Sequence, residues 1–283
     1  MNPSTVAITL NYRDVNRTSK CLRSLLQNKL DHILVWDNSA DEGASARQLL
    51  DQWQLEQRIT IHVSPNNLGF AAGVNRAIEH LQNICHIDRL LLINNDAYLP
   101  RDSIRELNLA LDKHPDAAIA YPTIDNKGTK QGTAYYQRHS GILSFGKPLP
   151  GSFPYVTGCA LLISMRNISL PLLDEDFFMY GEDAFLGWRI GAKRMVYVPD
   201  VLVRHDGSAS SKSGSLFYET CLVSGHWLLA QKLSLNPADK VLLYMGRCLF
   251  LPLRALVRSV RLRSLIPLRA LINKTSFSGS KEK

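Results

Sequence analysis

Two adjacent acids, Glu182 and Asp183, follow the aromatic, glycine-containing run Phe177-Phe178-Met179-Tyr180-Gly181 and open a periodic stretch ending in Trp188-Arg189. Acids at a helix start complement its dipole, which accounts for the charge but not for the aromatic wall beside it. An aromatic platform next to a carboxylate suits the stacking, orientation and deprotonation of a sugar hydroxyl. Asp96 closes the run Leu91-Leu92-Ile93-Asn94-Asn95, where a carboxylate can be a turn residue or a ligand for a hard cation such as Mg2+ or Mn2+. His205 stands at another strand end, before Asp206-Gly207, in a setting that fits a structural ring or a metal ligand.

Asp37-Asn38-Ser39 suits a capping turn. Its carboxylate could equally accept the imide N–H of a uracil or thymine ring. Asn66-Asn67-Leu68-Gly69-Phe70-Ala71-Ala72-Gly73-Val74-Asn75 places small residues and amides at a helix start. Free N–H groups there favour an anion, although packing alone would also explain a tight strand-to-helix connection.

These residues need a frame. Val6–Leu10, Ile33–Trp36, Ile59–Val63 and Leu90–Ile93 read as short buried strands. Helical periodicity lies between them: around Cys21–Leu26, Ala46–Leu55 and Phe70–Leu81. Such alternation predicts right-handed crossovers and a mostly parallel sheet covered on both faces, with ligands beyond the carboxyl ends of its strands. Asn11-Tyr12-Arg13, Asp37-Asn38-Ser39 and Asn94-Asn95-Asp96 all follow strands and should gather along that rim. Residues 123–151 read as an irregular, glycine-rich excursion, followed by strands over 157–163 and 195–198 with a helix over 182–190.

The chain of 283 residues, 45% of them hydrophobic, can bury a substantial core. Its net charge of +8 belongs to the end of the chain: from Lys240 onward there are ten basic residues and one acid, Glu282, which leaves the remainder near neutrality. A neutral body excludes a generalised nucleic-acid binder. Five cysteines without a C-x-x-C pair predict neither a disulfide framework nor a zinc site. Without a signal-peptide pattern or a long apolar span, the expected location is cytoplasmic.

Taken in order, the motifs resemble family 2 glycosyltransferases of the GT-A fold, particularly bacterial rhamnosyltransferase-like members that build surface polysaccharides. The resemblance covers roughly residues 5–210 and rests on Trp36-Asp37-Asn38-Ser39, Asn67-Leu68-Gly69-Phe70 with Gly73 and Asn75, Asn94-Asn95-Asp96, Tyr180-Gly181-Glu182-Asp183 with Trp188-Arg189, and Val198-Pro199 with His205. It implies a Rossmann-like α/β domain over 1–235 with a helical basic extension over 236–283. The implied activity is inverting, metal-dependent transfer from a dTDP- or UDP-sugar, rhamnose favoured, to a saccharide or lipid-linked saccharide. A UDP-hexose transferase and an inactive nucleotide-binding scaffold are the alternatives.

Within that resemblance Asp183 is the catalytic base and Glu182 orients the acceptor beside Tyr180, Trp188 and Arg189. Asn11, Tyr12, Asp37, Asn67, Gly69, Asn75 and Asn95 contact the donor, and Asp96 with His205 holds Mg2+ or Mn2+. Two positions depart from the family pattern: Asn94 replaces the first acid of the metal signature, and Arg13 stands where asparagine is frequent. A nucleotidyltransferase is disfavoured because Asn11-Tyr12-Arg13-Asp14 is not a glycine-rich triphosphate loop.

Between Lys240 and Lys274, eight basic residues and no acids are interleaved with apolar ones and interrupted by Pro252 and Pro267. Arg247, Arg254, Arg258 and Arg261 share one face of the broken helices expected there. This is either a solvated helical cap or a basic amphipathic anchor on anionic lipid at the inner face of the cell membrane.

Overall fold

A computed structural model describes residues 3–207 and 214–273. The first half alternates as the apolar runs require: β1 (Thr5–Asn11), α1 (Val15–Leu25), β2 (His32–Asp37), α2 (Ala44–Trp53), β3 (Ile59–Val63), α3 (Gly69–Gln82) and β4 (Arg89–Ile93). Then come β5 (Ala97–Tyr98), α4 (Ser103–Lys113), β6 (Ile119–Asn126), β7 (Thr129–Gln131), β8 (Ala134–Gln137), β9 (Leu143–Phe145), β10 (Ser152–Tyr155) and β11 (Ala160–Ser164). The chain continues with α5 (Glu182–Ile190), β12 (Met195–His205), α6 (Leu216–Lys232), α7 (Pro237–Leu262) and α8 (Ile266–Ala270).

Among the described residues the main sheet has nine strands along the path β3-β2-β1-β4-β11-β6-β12-β5, with β7 paired to β6. β1 pairs in parallel with β2 and β4, β2 with β3, and β6 with β12, whereas β11 runs antiparallel to both of its neighbours. Apolar side chains cover both faces. Cys21, Leu22 and Leu25 of α1, Leu49 of α2 and Leu107 of α4 close one side over Val35 and Leu91. Ala71, Val74 and Ile78 of α3 and Leu186 of α5 close the other over Ile8 and Leu92.

The region expected to be irregular is ordered. β10, β8 and β9 form a separate antiparallel sheet, in which Ala134 and Tyr136 face inward against Phe153. Its strands are three or four residues long, too short for a periodicity to emerge, and the connections between them use positive-φ Gly141, Gly146 and Gly151. β12 is longer than expected because it continues past Pro199 through a register shift between Val198 and Leu202.

The C-terminal extension inverts the expectation for its arginines. Asn236 caps α7, Pro237 starts it, and the helix runs through Pro252 without ending there; Pro267 sits in the first turn of α8, where its missing N–H costs nothing. Arg247 is 0% exposed, and Arg258 pairs with buried Glu219. These arginines face the protein because α6 and the small sheet offer them acceptors. The opposite face of α7 exposes Val241, Met245, Leu249, Leu253, Val257 and Val260, with Lys240, Arg261, Arg263 and Arg269 also exposed.

Candidate active site

A polarised hydrogen-bond chain ties the carboxyl ends of three strands together. Asn95 Nδ2 donates to Thr18 Oγ1 (3.0 Å), Thr18 Oγ1 to Asn11 Oδ1 (2.7 Å), and Asn11 Nδ2 to Asp37 Oδ1 (2.8 Å). Asp37 is 1% exposed, and its Oδ2 is buried without a hydrogen-bond partner. Asn11, Tyr12 and Asn38 line the neighbouring cleft and Asp37 does not, so its unsatisfied lone pair lies behind that wall, where a ligand N–H would have to reach it. Arg13, whose backbone N donates to Ser39 Oγ and whose Nε donates to the Ser39 carbonyl, pins the first loop beside it.

The start of α3 is built for close approach. Asn38 Oδ1 accepts from Leu68 N, and Asn38 Nδ2 donates to Asn67 Oδ1 and to the Gly69 carbonyl. Gly69 has φ +79, and a Cβ there would lie 2.5 Å from the Phe178 carbonyl oxygen, so only glycine fits. Phe70 N donates to that same carbonyl at 2.7 Å, docking α3 onto the segment that leads to the acid pair. Asn75 lies elsewhere. Its amide donates to the Leu173 carbonyl and to Glu175, and its Oδ1 accepts from Leu173 N, so it clamps a loop and does not line the cleft.

β5 and β12 bring Asp96 and His205 together: the antiparallel pair matches His205 with Ala97 and leaves His205 Nε2 3.1 Å from Asp96 Oδ1. His205 Nδ1 bonds Asn126 Oδ1 at 2.6 Å, and since an amide oxygen only accepts, Nδ1 carries the hydrogen. In the neutral ring Nε2 then aims its lone pair at a carboxylate, an arrangement completed by a proton or a cation between them. An orienting carbonyl behind a histidine is what metal ligation needs. Among the described residues no cluster of three or more His, Cys, Asp or Glu could hold a metal alone. The pair therefore fits a Mg2+ or Mn2+ that draws further oxygens from a bound diphosphate.

Glu182 and Asp183 open α5 and line the same cleft of about 470 Å³ as Asn11, Tyr12, Asn95 and Asp96. Asp183 Oδ1 accepts from Ala184 N (2.7 Å) and Oδ2 from Gly158 N (3.4 Å). Glu182 Oε2 is buried without a hydrogen-bond partner. Burial raises both carboxyls above their ordinary range; the charge of Asp183 adds to the effect on Glu182, pushing it up to about 8, while backbone N–H groups hold Asp183 down. The two environments differ: burial and the neighbouring charge favour a proton on Glu182, while the backbone N–H groups favour the charge on Asp183. The thiol of Cys159, also lining the cleft, is held neutral by burial and is no nucleophile.

A raised carboxyl favours the fold while protonated, so the stability contributed by Glu182 is present below its ordinary 4.5 and lost as pH rises through about 8. Glu182→Gln is therefore expected to stabilise the protein at pH 9 by on the order of 2 kcal/mol and to change little at pH 4.5. Urea melts at both pH values check this; equal effects at the two would contradict it.

Tyr180 lines the cleft, but Trp188 and Arg189 do not. Trp188 packs edge-on to Phe153 with Arg138 over its ring, and Arg189 reaches the carbonyls of Leu172 and Pro171. Trp188 and Arg189 come six residues after the acids, about one and two-thirds turns along α5, which turns their side chains away from the cleft. Asn38, expected at the rim, organises it, and residues not singled out from the sequence also build the site: Thr18 links the rim, Asn126 orients His205, Gly158 holds Asp183, and Phe217 and Tyr218 of α6 complete the wall. A larger depression of about 1020 Å³ lies near the amino ends of β1 and β4, away from the acids and the histidine.

A family model described as glycosyl transferase family 2 matches residues 4–185. Comparison with curated protein sequences gives no match. Solved structures with the same fold include GalNAc-T7 with UDP, GalNAc and Mn2+, at 13% identity and TM-score 0.61 over 81% of this chain and 48% of that one. The chain thus spans about half the length of that protein. A mannosyltransferase, PcManGT from Pyrobaculum calidifontis, in complex with GDP-Man and Mn2+, is 14% identical with TM-score 0.56 over 96% of this chain and 86% of that one. S. aureus TarS 1-349 with UDP-GlcNAc is 15% identical with TM-score 0.52 over 84% of this chain and 69% of that one. At these identities the likeness speaks for the fold, a GT-A sheet with a C-terminal helical extension. The family match takes in both Asp96 and Asp183: the chain belongs to glycosyl transferase family 2.

Proposed function

We propose that the protein transfers a sugar from a pyrimidine nucleoside diphosphate, dTDP-rhamnose foremost and a UDP-hexose as the alternative, to a hydroxyl of a saccharide or lipid-linked saccharide, inverting the anomeric centre. The observation that carries this reading is one cleft holding two unlike sets of groups: the buried acids Glu182 and Asp183, and the Asp96–His205 pair. The unpartnered Asp37 Oδ2 supports a pyrimidine, whose imide N–H it could accept. UDP in the GalNAc-T7 structure and UDP-GlcNAc in TarS support the same class of donor.

Asp183, as carboxylate, takes the proton of the acceptor hydroxyl as that oxygen attacks the anomeric carbon. Its raised proton affinity makes it a better base than an exposed aspartate while leaving it the more ionised of the two acids. Glu182, with its proton, can donate to the acceptor and hold it. Asp96 and His205 would hold a divalent cation, which would offset the charge developing on the leaving diphosphate. Mn2+ in two of the comparison structures supports this cofactor class. A single displacement inverts the configuration. Incubation with dTDP-rhamnose, UDP-glucose, UDP-galactose and GDP-mannose, followed by NMR of the product, tests the proposal. Consumption of a pyrimidine donor with an inverted anomer is expected; turnover of GDP-mannose alone, or a retained anomer, would overturn it.

No helix among the described residues is long and apolar enough to cross a membrane. The apolar outer face of α7, edged by exposed Lys240 and Arg261, supports in-plane attachment to an anionic bilayer, which suits a lipid-linked acceptor. Leu249→Glu combined with Val257→Glu is expected to cut co-sedimentation with phosphatidylglycerol vesicles by about fivefold or more. Unchanged co-sedimentation would remove α7 from the contact.

A further inference from the structure

A second cavity, of about 110 Å³, lies behind the acid pair between the small sheet, α5, α6 and α7. Tyr180 and Asp183 line both it and the cleft; its far wall is Tyr136, Leu222, His226 and Arg254. The three inward arginines of α7 have unequal company there. Arg247 donates to the carbonyls of His226, His139 and Arg138 and to Tyr136 Oη, while Arg258 is neutralised by Glu219. Among the described residues Arg254 has one hydrogen-bond partner, His226 Nε2, and no carboxylate within ion-pair distance; the charge of Glu219, already paired with Arg258, reaches it only from farther off.

Because Nε2 accepts from Arg254, the hydrogen of His226 sits on Nδ1 and is donated to Tyr136 Oη at 2.9 Å. Burial, with Arg254 and Arg247 beside it, keeps that ring neutral. The cluster thus holds two buried guanidinium groups and no compensating anion in contact with Arg254, an arrangement that is costly unless something supplies the missing charge. Guanidinium groups pair best with planar or tetrahedral oxyanions. The cavity exceeds the volume of three liquid waters at about 30 Å³ each, room for a phosphoryl or carboxylate group but not for a sugar ring.

We propose that this cavity is an oxyanion subsite of the acceptor: a phosphoryl or carboxylate group on the acceptor seats against Arg254 while the reacting hydroxyl lies at Asp183. The inference rests on the acceptor being bound beside Asp183, and it specifies a charged acceptor over a neutral glycan. Phosphoryl would come from a lipid-linked saccharide, carboxylate from an acidic sugar.

The test is calorimetric titration of methyl phosphate and, separately, sodium glucuronate into protein preloaded with Mn2+ and UDP or dTDP, at constant ionic strength, so that the donor rim is filled. Binding of one of the two is expected and identifies the source. Arg254→Gln should raise its Kd by about tenfold or more and Arg254→Lys should recover part of the loss, with nucleotide affinity unchanged in both. Leu222→Phe fills the cavity while keeping every charge, and should weaken the anion in the same way if Arg254→Gln fails to fold. Equal anion affinity in these variants, or no binding of either anion to the unaltered protein, would overturn the subsite. Failure of the nucleotide to bind would count against the donor reading instead, and titration without nucleotide would still decide the role of Arg254.

Discussion

Asp183→Asn is expected to lower kcat by about a thousandfold or more while leaving donor affinity within about twofold. The asparagine keeps the shape of the side chain and an oxygen for Ala184 N, so the start of α5 is preserved and only the proton acceptor is removed. Glu182→Gln should cost less, because its glutamine can still donate where a protonated Glu182 would. The pH profile carries the same information: activity falls as pH drops through the Asp183 value, which burial sets above the ordinary 3.8. Single-turnover rates on the two variants separate the roles. An active Asp183→Asn beside an inactive Glu182→Gln would transfer the base to Glu182.

Asp96→Ala should weaken Mn2+-dependent donor binding by about a hundredfold, the largest effect expected on the donor side. Removing the carboxylate leaves His205 as the sole protein ligand of the pair. Asn126→Ala should cost about tenfold by a different route, since it frees the ring to turn and lets either nitrogen carry the hydrogen. Calorimetry with Mn2+ and with EDTA checks both variants. Donor affinity in Asp96→Ala that is unaltered and still responds to Mn2+ would place the cation elsewhere.

Strands β1 to β4 and helices α1 to α3 were legible because each is a continuous apolar run or a clear helical stripe that the parallel sheet buries on both faces. The same pattern foretold that Asn11, Asp37 and Asp96 would share a rim. What escaped depends on distant pairing. β5 is two residues long and exists because β12 lies beside it, yet it is what sets His205 against Asp96. Asn126 ends β6, in a region whose short strands and glycine turns hide any period. Helical spacing put Arg247, Arg254, Arg258 and Arg261 on one face; the first three turn toward the protein and Arg261 is exposed instead, and spacing cannot say which face is covered. Tyr136, His226 and Glu219 decide that, from elements far away in the chain. Asn75, Trp188 and Arg189 sit inside recognisable motifs and are spent on packing, which a motif alone does not distinguish from contact with a ligand.

The central claim is a cleft that takes a pyrimidine nucleoside diphosphate together with a divalent cation. Thermal melts with UDP, dTDP, GDP and ADP, each with Mn2+ or EDTA, test it most directly, since a ligand bound only by the folded state raises Tm. A rise with UDP or dTDP in Mn2+ that EDTA abolishes is the predicted result; no stabilisation by any of the four, or by GDP or ADP alone, would contradict it.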